Sequence, residues 1–247
     1  MQRDVLQQTP EDVPFLNRNH THKSPCCQLF TYANQEPVMT RTSPFDDKTT
    51  EYDQWFEKYP WVYQAELQAV KALLPSTGNG IEIGVGTGRF ASRLGITIGL
   101  EPSKRMRSLA RGRGIRILSG VAENLPVKNA AFDYALLVTT ICFLSDPYRA
   151  LQEIHRILKA NGALIVAFVD RTSPVGRLYE AKKNNSVFYR DATFYSTADI
   201  VDMMELAGFT RFNFRQTLFH GLTETTADEP VLEGHGKGSF VVLRGEK

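Results

Sequence analysis

The chain has 247 residues, 42% hydrophobic and 23% charged, which is enough to bury the core of one globular domain. Its formal net charge of +2 gives no electrostatic case for a nucleic-acid partner. No apolar stretch reaches the ~20 residues that a membrane span needs, and residues 1–4 lack the apolar core of a signal peptide. Three cysteines, Cys26, Cys27 and Cys142, do not make a disulfide framework. We therefore expect a cytoplasmic protein with no membrane span.

The first part of the chain has no sustained hydrophobic period and is rich in proline and polar residues. This composition predicts an irregular N-terminal arm over residues 1–45 and a single domain over residues 46–247. From Tyr52 to Leu74 the pattern is helical and markedly aromatic, and Pro75 ends it. Tyr52 and its aromatic neighbours are candidates for a lid over a site. Packing of these helices onto a sheet is the alternative.

The stretch from residue 80 to residue 88 is the most informative part of the chain. Glycines occupy every second position at its end: Gly84, Gly86 and Gly88. Glycine permits left-handed backbone conformations and lets a ligand approach the main chain, and the N–H groups of a following helix face that ligand. The spacing differs from the dinucleotide pattern G-x-G-x-x-G, because Arg89 stands at the third glycine position. Glu82 would repel a phosphate but accepts hydrogen bonds from an ammonium group, which favours a cofactor with a cationic amino-acid part.

A second predicted strand, residues 96–101, ends in Glu101, 17 residues after Gly84. A carboxylate at the tip of this strand can accept a hydrogen bond from each of the two hydroxyl groups of a ribose. The alternative is an acid that complements the dipole of the next helix. The glycine loop one strand earlier favours ribose binding.

The rest of the chain alternates between strands and helices. Further strands are predicted at residues 115–118, 133–139, 163–169, 211–219 and 239–244, and helices at residues 103–112, 147–161 and 197–206. Asp146 caps the middle helix, Pro147 opens it and Gly162 ends it. This alternation predicts an α/β fold: a doubly wound, Rossmann-like, mostly parallel seven-stranded sheet with a C-terminal antiparallel strand pair.

These motifs together resemble the class I S-adenosylmethionine-dependent methyltransferases. Besides the glycine loop and Glu101, residues 120–126 resemble the family's segment around the adenine, and residues 132–137 its fourth strand. Residues 158–164 resemble the leucine–lysine–proline–glycine–glycine stretch before the fifth strand. The similarity runs from about residue 50 to the C-terminus, and four motifs in the family's order are far more specific than one. Within the family, the chain is similar to the small-molecule type, a ubiquinone-biosynthesis-like subgroup.

The resemblance implies S-adenosyl-L-methionine as the cofactor. Glu82 and the loop of residues 84–88 are then expected to hold its methionine part, and Glu101 its ribose. The remaining cofactor-binding candidates follow the carboxyl ends of the strands: Pro102, Val121, Ala122, Glu123 and Val138. Family members often carry an aspartate where this chain has Val121, which leaves the contact to the adenine amino group open. Glu123 is one substitute, and an exposed loop acid is the equal alternative for it.

Candidates on the acceptor side are weaker. In methyl transfer from a sulfonium the protein mainly positions the nucleophile, so a general base is needed only for a protonated or weakly nucleophilic acceptor. Three residues are weak candidates for a catalytic role: Cys142, Asp170 and Tyr52. A small buried hydrophobe is the better interpretation of Cys142, with a thiolate for a soft acceptor such as arsenic as the alternative. A solvated turn is the alternative for Asp170.

Aromatic residues after the fifth strand are candidates for the wall of an acceptor pocket: Tyr179, Phe188, Tyr189 and Tyr195. His220 and His235 flank a long loop without the spacing of a metal site, so no metal is expected.

We therefore expect a methyltransferase that transfers a methyl group from S-adenosylmethionine to a small-molecule acceptor. Two alternatives stay open: an NAD(P)-dependent oxidoreductase on a similar sheet, and a non-catalytic nucleotide-binding module that kept the fold. Arg89 counts against the first, and the intact glycine loop with Glu101 counts against the second. The acceptor and the oligomeric state are not readable from the sequence.

Overall fold

The structure is a computed structural model that describes residues 43–247. Most of the predicted arm, with Cys26 and Cys27, lies outside the described residues, so its irregular structure stays a prediction. The first described element is helix α1, Ser43–Asp47, so the last three residues of the predicted arm are helical. Pro44 suits this position, because the fixed φ of proline matches the first turn of a helix.

Eight strands run through the described residues: β1 Gly80–Ile83, β2 Ile98–Leu100, β3 Arg116–Leu118, β4 Phe132–Val138, β5 Leu158–Val169, β6 Thr210–Thr217, β7 Leu232–Glu233 and β8 Phe240–Glu246. They form one sheet in the order β3-β2-β1-β4-β5-β8-β6-β7. Strands β1 to β5 are parallel, and β8 is antiparallel to both of its neighbours. The predicted α/β fold with a parallel core and antiparallel C-terminal strands is confirmed.

Seven further α-helices follow α1: α2 Thr49–Lys58, α3 Pro60–Leu73, α4 Arg89–Leu94, α5 Lys104–Gly112, α6 Pro147–Ile157, α7 Pro174–Lys182 and α8 Thr197–Leu206. Asp146 caps α6 as predicted, because its side chain accepts a hydrogen bond from the backbone of Arg149. No helix within residues 43–247 is long and apolar enough to cross a membrane.

The sheet has one strand more than the seven predicted. Two residues of the long loop after β6, Leu232 and Glu233, return to pair with Gln216 and Arg215. Such a short strand has no hydrophobic alternation, and both of its residues are exposed. The sequence pattern therefore does not predict that these two residues pair as a strand.

Helix α6 ends earlier than predicted. It stops at Ile157, and Leu158 already belongs to β5, so Gly162 does not end the helix. Gly162 serves a close approach instead: a Cβ atom there would lie 2.8 Å from the carbonyl oxygen of Lys159 and 3.1 Å from that of Asp133. The five residues from 158 to 162 shift the register between β4 and β5.

Helices cover both faces of the sheet, as a doubly wound fold requires. Helices α6 and α8 bury Leu151, Ile154 and Met204 against one face. On the other face, α3 and α4 bury Val62, Val70 and Phe90. The carboxyl ends of β1, β2 and β4 thereby open at one edge of a rigid layer.

Asp170 fastens the end of β5 to the start of α8. Its Oδ1 accepts hydrogen bonds from the backbone N–H and the hydroxyl of Thr172, and its Oδ2 accepts the same pair from Thr197, at 2.6 to 2.9 Å. The side chain is buried. The alternative of a solvated turn is therefore wrong for Asp170, and its geometry is that of a structural residue.

Replacement of Asp170 by alanine is expected to lower the free energy of unfolding by roughly 2–4 kcal/mol, because it leaves buried donors unsatisfied. Urea unfolding followed by circular dichroism measures this. Asp202→Ala is the matched control, because Asp202 is exposed on α8. Equal stability of the two variants would contradict the structural role.

Candidate active site

A cleft of about 710 Å³, counting its open mouth, lies at the carboxyl ends of β1, β2 and β4. Nine of the residues singled out in the sequence line it: Tyr52, Gly84, Gly86, Glu101, Pro102, Val121, Ala122, Glu123 and Val138. The structure thus brings these residues together from five separate segments of the chain. Four of the candidates do not line the cleft: Glu82, which lies on β1, and Gly88, Cys142 and Asp170.

The glycine loop needs glycine at two positions for different reasons. Gly84 has a φ of +70°, and a Cβ atom there would lie 2.4 Å from Thr140 Cγ2. Gly86 has a φ of +55°, and its open side faces the ring of Tyr52. The backbone N–H groups of Gly84 and Val85 both donate to the carbonyl oxygen of Leu100, at 2.8 and 3.0 Å. These bonds fix the loop over the end of β2.

Gly88 is outside the cleft lining and serves packing. It precedes α4 with a φ of +82°, and a Cβ atom there would lie 3.2 Å from Ala110 and 3.3 Å from Ile115. The third glycine therefore lets helix α5 approach the loop. A direct contact with the methionine part, as the resemblance implied for Gly88, has no support in this geometry.

Glu101 joins the glycine loop to the start of α5. Its Oε2 accepts a hydrogen bond from Gly86 N at 2.9 Å, and its Oε1 accepts one from Ser103 N at 2.8 Å. Each oxygen keeps a further lone pair for a ligand hydroxyl. Burial raises the pKa of Glu101 to about 7, and the two N–H donors oppose that rise. This carboxylate is placed and oriented to accept hydrogen bonds from the cleft.

Glu82 carries an unsatisfied buried oxygen. The residue is only 2% exposed, and its Oε2 has no hydrogen-bond partner among the described residues. Burial, together with the nearby charge of Glu101, raises the pKa of Glu82 well above its ordinary value, although a backbone N–H of Ala91 opposes this. An ammonium group next to Glu82 would satisfy the oxygen and stabilise its charge. The residue therefore fits a cofactor with a cationic amino-acid part.

Glu123 is buried, so the alternative of an exposed loop acid is wrong for it. Its Oε1 accepts hydrogen bonds from the backbone N–H groups of Ser145 at 2.8 Å and Asp146 at 3.3 Å, which precede α6. Its Oε2 has no partner within residues 43–247. One oxygen thus supports the fold, and the other is left for a ligand or a water molecule.

Helices α1 and α2 place aromatic rings over the cleft. Phe45 and Tyr52 line it, and their ring centroids are 5.8 Å apart. Phe45 also contacts Phe143 at 4.9 Å and Phe188 at 5.7 Å. We call helices α1 and α2 the lid.

Charged groups hold the lid in place. Asp46 accepts a hydrogen bond from the Ser103 hydroxyl at 2.6 Å. Asp53 pairs with Arg89 at 2.6 Å and with Arg113 at 2.8 Å. Although burial raises the pKa of Asp53, the hydrogen bonds from these two arginines bring it well below its ordinary range. Arg113 also donates to the carbonyl oxygen of Thr87 at 2.7 Å, which connects the lid to the glycine loop.

A second cavity of about 330 Å³ adjoins the cleft at Thr139, which lines both spaces. Its remaining walls are largely aromatic: Ile141, Cys142, Phe168, Val169, Tyr179, Tyr189, Phe194 and Tyr195. Thr139 has a φ of +48°, a strained backbone conformation for a β-branched residue that is found mostly at functional sites. Of the aromatic residues that the sequence suggested, only Phe188 lies elsewhere, against the lid.

Cys142 lies in the wall of this second cavity. Its Sγ donates to the carbonyl oxygen of Thr139 at 3.3 Å, and burial raises the pKa of its thiol to about 12. The side chain therefore stays protonated at neutral pH, in agreement with a small buried hydrophobe rather than a thiolate. Cys26 and Cys27 lie outside the described residues.

Several cleft residues escaped the sequence analysis: Phe45, Ile83, Leu100, Met106, Thr139, Thr140, Phe143 and Leu144. Most are apolar and carry no chemical signature. Phe45 had one available signal, because Ser43 and Pro44 before it are typical of a helix start.

Residues 81–166 match the family described as "Methyltransferase domain". The chain is also 55% identical to a solved structure described as an SAM-dependent methyltransferase, possible histamine N-methyltransferase, of Thermotoga maritima. The TM-score is 0.82, and the match covers 83% of this chain and 99% of that one. The chain belongs to the S-adenosylmethionine-dependent methyltransferases. It is an enzyme, and its cofactor is S-adenosyl-L-methionine, as the resemblance of its motifs to this family implied.

Two further similarities extend the comparison. An uncharacterized protein of Methanocaldococcus jannaschii is 40% identical over 203 residues, which are 82% of this chain and 98% of that protein. A Haemonchus contortus phosphoethanolamine N-methyltransferase, solved with phosphomonomethylethanolamine and S-adenosylhomocysteine, has a TM-score of 0.60 at 15% identity. The match covers 85% of this methyltransferase and 60% of that chain, and it shows a common fold alone.

The affinity for S-adenosylhomocysteine is expected to fall as the pH drops below about 7, by up to about tenfold per unit. The carboxyl of free Glu101, with its pKa of about 7, must lose its proton before it accepts two ribose hydroxyls. Glu101→Gln should weaken binding by about 1–3 kcal/mol at pH 8 and reduce the pH dependence.

Calorimetric titrations between pH 5.5 and 8.5 provide the measurement. Glu205→Gln, an exposed substitution on α8, is the control that should keep the wild-type profile. A profile that is identical in wild type and Glu101→Gln would contradict the ribose assignment.

Proposed function

We propose that this methyltransferase modifies a small molecule, which binds under the lid and in the adjoining aromatic cavity. The observation that carries this proposal is the layer of aromatic rings at the cleft: Phe45, Tyr52 and Phe143 line it, and Phe188 packs against Phe45 and Tyr52. This aromatic cover favours a compact acceptor over a polymer. A second cavity of about 330 Å³ lies at the small end of ligand pockets. The Thermotoga maritima relative is described as a possible histamine N-methyltransferase, which agrees with a small acceptor.

Glu82 and the residues that line the cleft would each bind a different part of the cofactor. Glu82, with its unpartnered oxygen, and the backbone of Gly84 and Gly86 would hold the methionine part. Glu101 would hold the ribose. Apolar residues at the far side would enclose the adenine: Leu100, Pro102, Met106, Val121, Ala122 and Leu144. The chain has Val121 at the place of the family's aspartate, so recognition of the adenine amino group would fall to the backbone or to the open oxygen of Glu123.

When bound, S-adenosylmethionine supplies a methyl group that its sulfonium has already activated. The chain then has to align the acceptor and exclude water, and the lid serves both purposes. Burial raises the pKa of Tyr52 above its ordinary value, so its hydroxyl acts as a hydrogen-bond donor rather than a base. All four contacts of Asp170 are structural, and Cys142 is a protonated thiol. None of the three weak candidates is therefore arranged as a general base.

No finding favours the oxidoreductase or the non-catalytic module. The ubiquinone-biosynthesis-like subgroup and the cytoplasmic location stay predictions.

Methyl transfer is tested with S-adenosylmethionine labelled on its methyl group and a panel of small amines, phenols, thiols and carboxylic acids. We expect label in at least one small molecule with wild type and none with Gly84→Ala. The added methyl group of that variant clashes with Thr140.

Gly95→Ala is the matched control. Gly95 has nearly the same backbone conformation as Gly84, with a φ of +73°, but nothing lies within 4 Å of an added Cβ atom. It therefore imposes the backbone strain without the clash and should keep the activity. Label in protein or nucleic acid, and in no small molecule, would sink the proposal.

A further inference from the structure

The described residues that line the cleft offer no cationic side chain to the carboxylate of the cofactor's methionine part. None of them is a lysine, an arginine or a histidine. Glu82 fits the ammonium group and Glu101 fits the ribose, but both would repel a carboxylate. A carboxylate that leaves water needs hydrogen-bond donors in place of its hydration. In this cleft the donor must therefore be a neutral group.

The first three backbone N–H groups of the glycine loop are already used within the fold. Those of Gly84 and Val85 donate to the carbonyl oxygen of Leu100, at 2.8 and 3.0 Å. That of Gly86 donates to Oε2 of Glu101 at 2.9 Å. Each of these groups has a single hydrogen, so it cannot also serve a ligand carboxylate at full strength. The donor is therefore to be sought among the side chains.

Three of the residues that line the cleft carry a hydroxyl group: Tyr52, Thr139 and Thr140. The Thr140 hydroxyl lies 3.0 Å from the carbonyl oxygen of Val138 and 3.3 Å from that of Gly84, so its single proton is engaged. Thr139 lines the second cavity as well, on the side of the proposed acceptor site. The Tyr52 hydroxyl makes no hydrogen bond within the part of the chain that the structure describes. Tyr52 is thus the free donor that the cleft does not share with the second cavity.

The Tyr52 hydroxyl lies over the glycine loop. Its oxygen is 3.7 Å from the position that a Cβ atom on Gly86 would take. Three aromatic rings, those of Phe45, Phe56 and Phe188, pack edge-to-face against the Tyr52 ring, with centroids 5.5 to 5.9 Å away. This packing aims the hydroxyl at the place where the methionine part is proposed to bind.

The backbone beside Tyr52 is tied to the same loop. The next residue, Asp53, pairs with Arg113 at 2.8 Å, and Arg113 donates to the carbonyl oxygen of Thr87 at 2.7 Å. A donor held in place before the ligand arrives loses little conformational entropy on binding. Burial raises the pKa of Tyr52 above its ordinary value, so the hydroxyl keeps its proton at neutral pH.

We propose that the Tyr52 hydroxyl donates a hydrogen bond to the α-carboxylate of S-adenosylmethionine. Helix α2 of the lid then recognises the amino-acid end of the cofactor, and Tyr52 is a cofactor-binding residue rather than a general base. This inference rests on the proposed placement of the methionine part over the glycine loop and does not depend on the identity of the acceptor.

The test pairs one variant with one change in the ligand. Wild type and Tyr52→Phe are titrated calorimetrically with S-adenosylhomocysteine and with S-adenosyl-3-thiopropylamine, which is the same ligand without its carboxylate. We expect Tyr52→Phe to weaken binding of the first about tenfold or more, because a hydrogen bond to a charged group is lost. Binding of the second should stay the same in both proteins.

Tyr59→Phe is the matched control. Tyr59 directly follows α2 and lines neither the cleft nor the second cavity, so its variant should bind both ligands as wild type does. Tyr52→Phe keeps the ring and its packing and should unfold at the temperature of wild type. Equal weakening of both ligands by Tyr52→Phe would assign the hydroxyl to the geometry of the lid and overturn the proposal.

Thr139→Val examines the other free hydroxyl. A loss confined to S-adenosylhomocysteine in Thr139→Val, with none in Tyr52→Phe, would transfer the role to Thr139. Undiminished binding of S-adenosylhomocysteine by Tyr52→Phe would also overturn the proposal. No measurable binding of S-adenosyl-3-thiopropylamine to wild type would do the same, because it would mean that the carboxylate has a stronger partner than one hydroxyl.

Glu82→Gln separates this inference from the proposed function. Both ligands keep the ammonium group, so this variant should weaken both. A carboxylate-specific loss in Tyr52→Phe with no loss in Glu82→Gln would support Tyr52 and refute the proposed role of Glu82, and the reverse result would refute Tyr52 alone. A failure to label any small molecule would refute the proposed acceptor class and leave the role of Tyr52 intact.

Discussion

Two carboxylates buried side by side at the ends of β1 and β2 are the constraint on which the site depends. Burial and the charge of Glu101 raise the pKa of Glu82, burial raises that of Glu101, and the hydrogen bonds that the Glu101 carboxylate accepts come from backbone N–H groups. Because the two carboxylates have acceptor positions that the protein leaves unfilled, the site suits ligands that bring an ammonium group and hydroxyl donors. The surrounding architecture keeps both residues dry and in place: the glycine loop tied to Leu100, the end of β2 and the lid.

The lid and the glycine loop form one mechanical unit. Arg113 donates hydrogen bonds to Asp53 on α2 and to the carbonyl oxygen of Thr87. A displacement of the lid would therefore also displace the glycine loop. The aromatic side chains above the cleft carry no polar group that could bind water, apart from the hydroxyl of Tyr52. Closure over a bound cofactor therefore removes solvent from the place where the acceptor must meet the methyl group.

The sequence predicted the fold class, the parallel core and most of the cofactor cleft, because these features have local signatures. Glycines with positive φ, an acid at a strand tip and the cap at Asp146 are each decided by a few neighbouring residues. Features that depend on contacts distant in sequence were not predictable. Glu123 is buried because its Oε1 accepts a hydrogen bond from the backbone at the start of α6. Gly88 lies outside the cleft because α5 packs against it.

The short strand β7 also protects the sheet at its margin. An uncovered edge strand offers free N–H and C=O groups to any passing chain, and this is a common route to aggregation. At one margin, β7 pairs with Arg215 and Gln216 of β6. At the opposite margin β3 is only three residues long, too short to recruit a stable partner strand. Within the described residues, this protection thus comes from pairing over two of the eight β6 residues at one margin and from the shortness of β3 at the other.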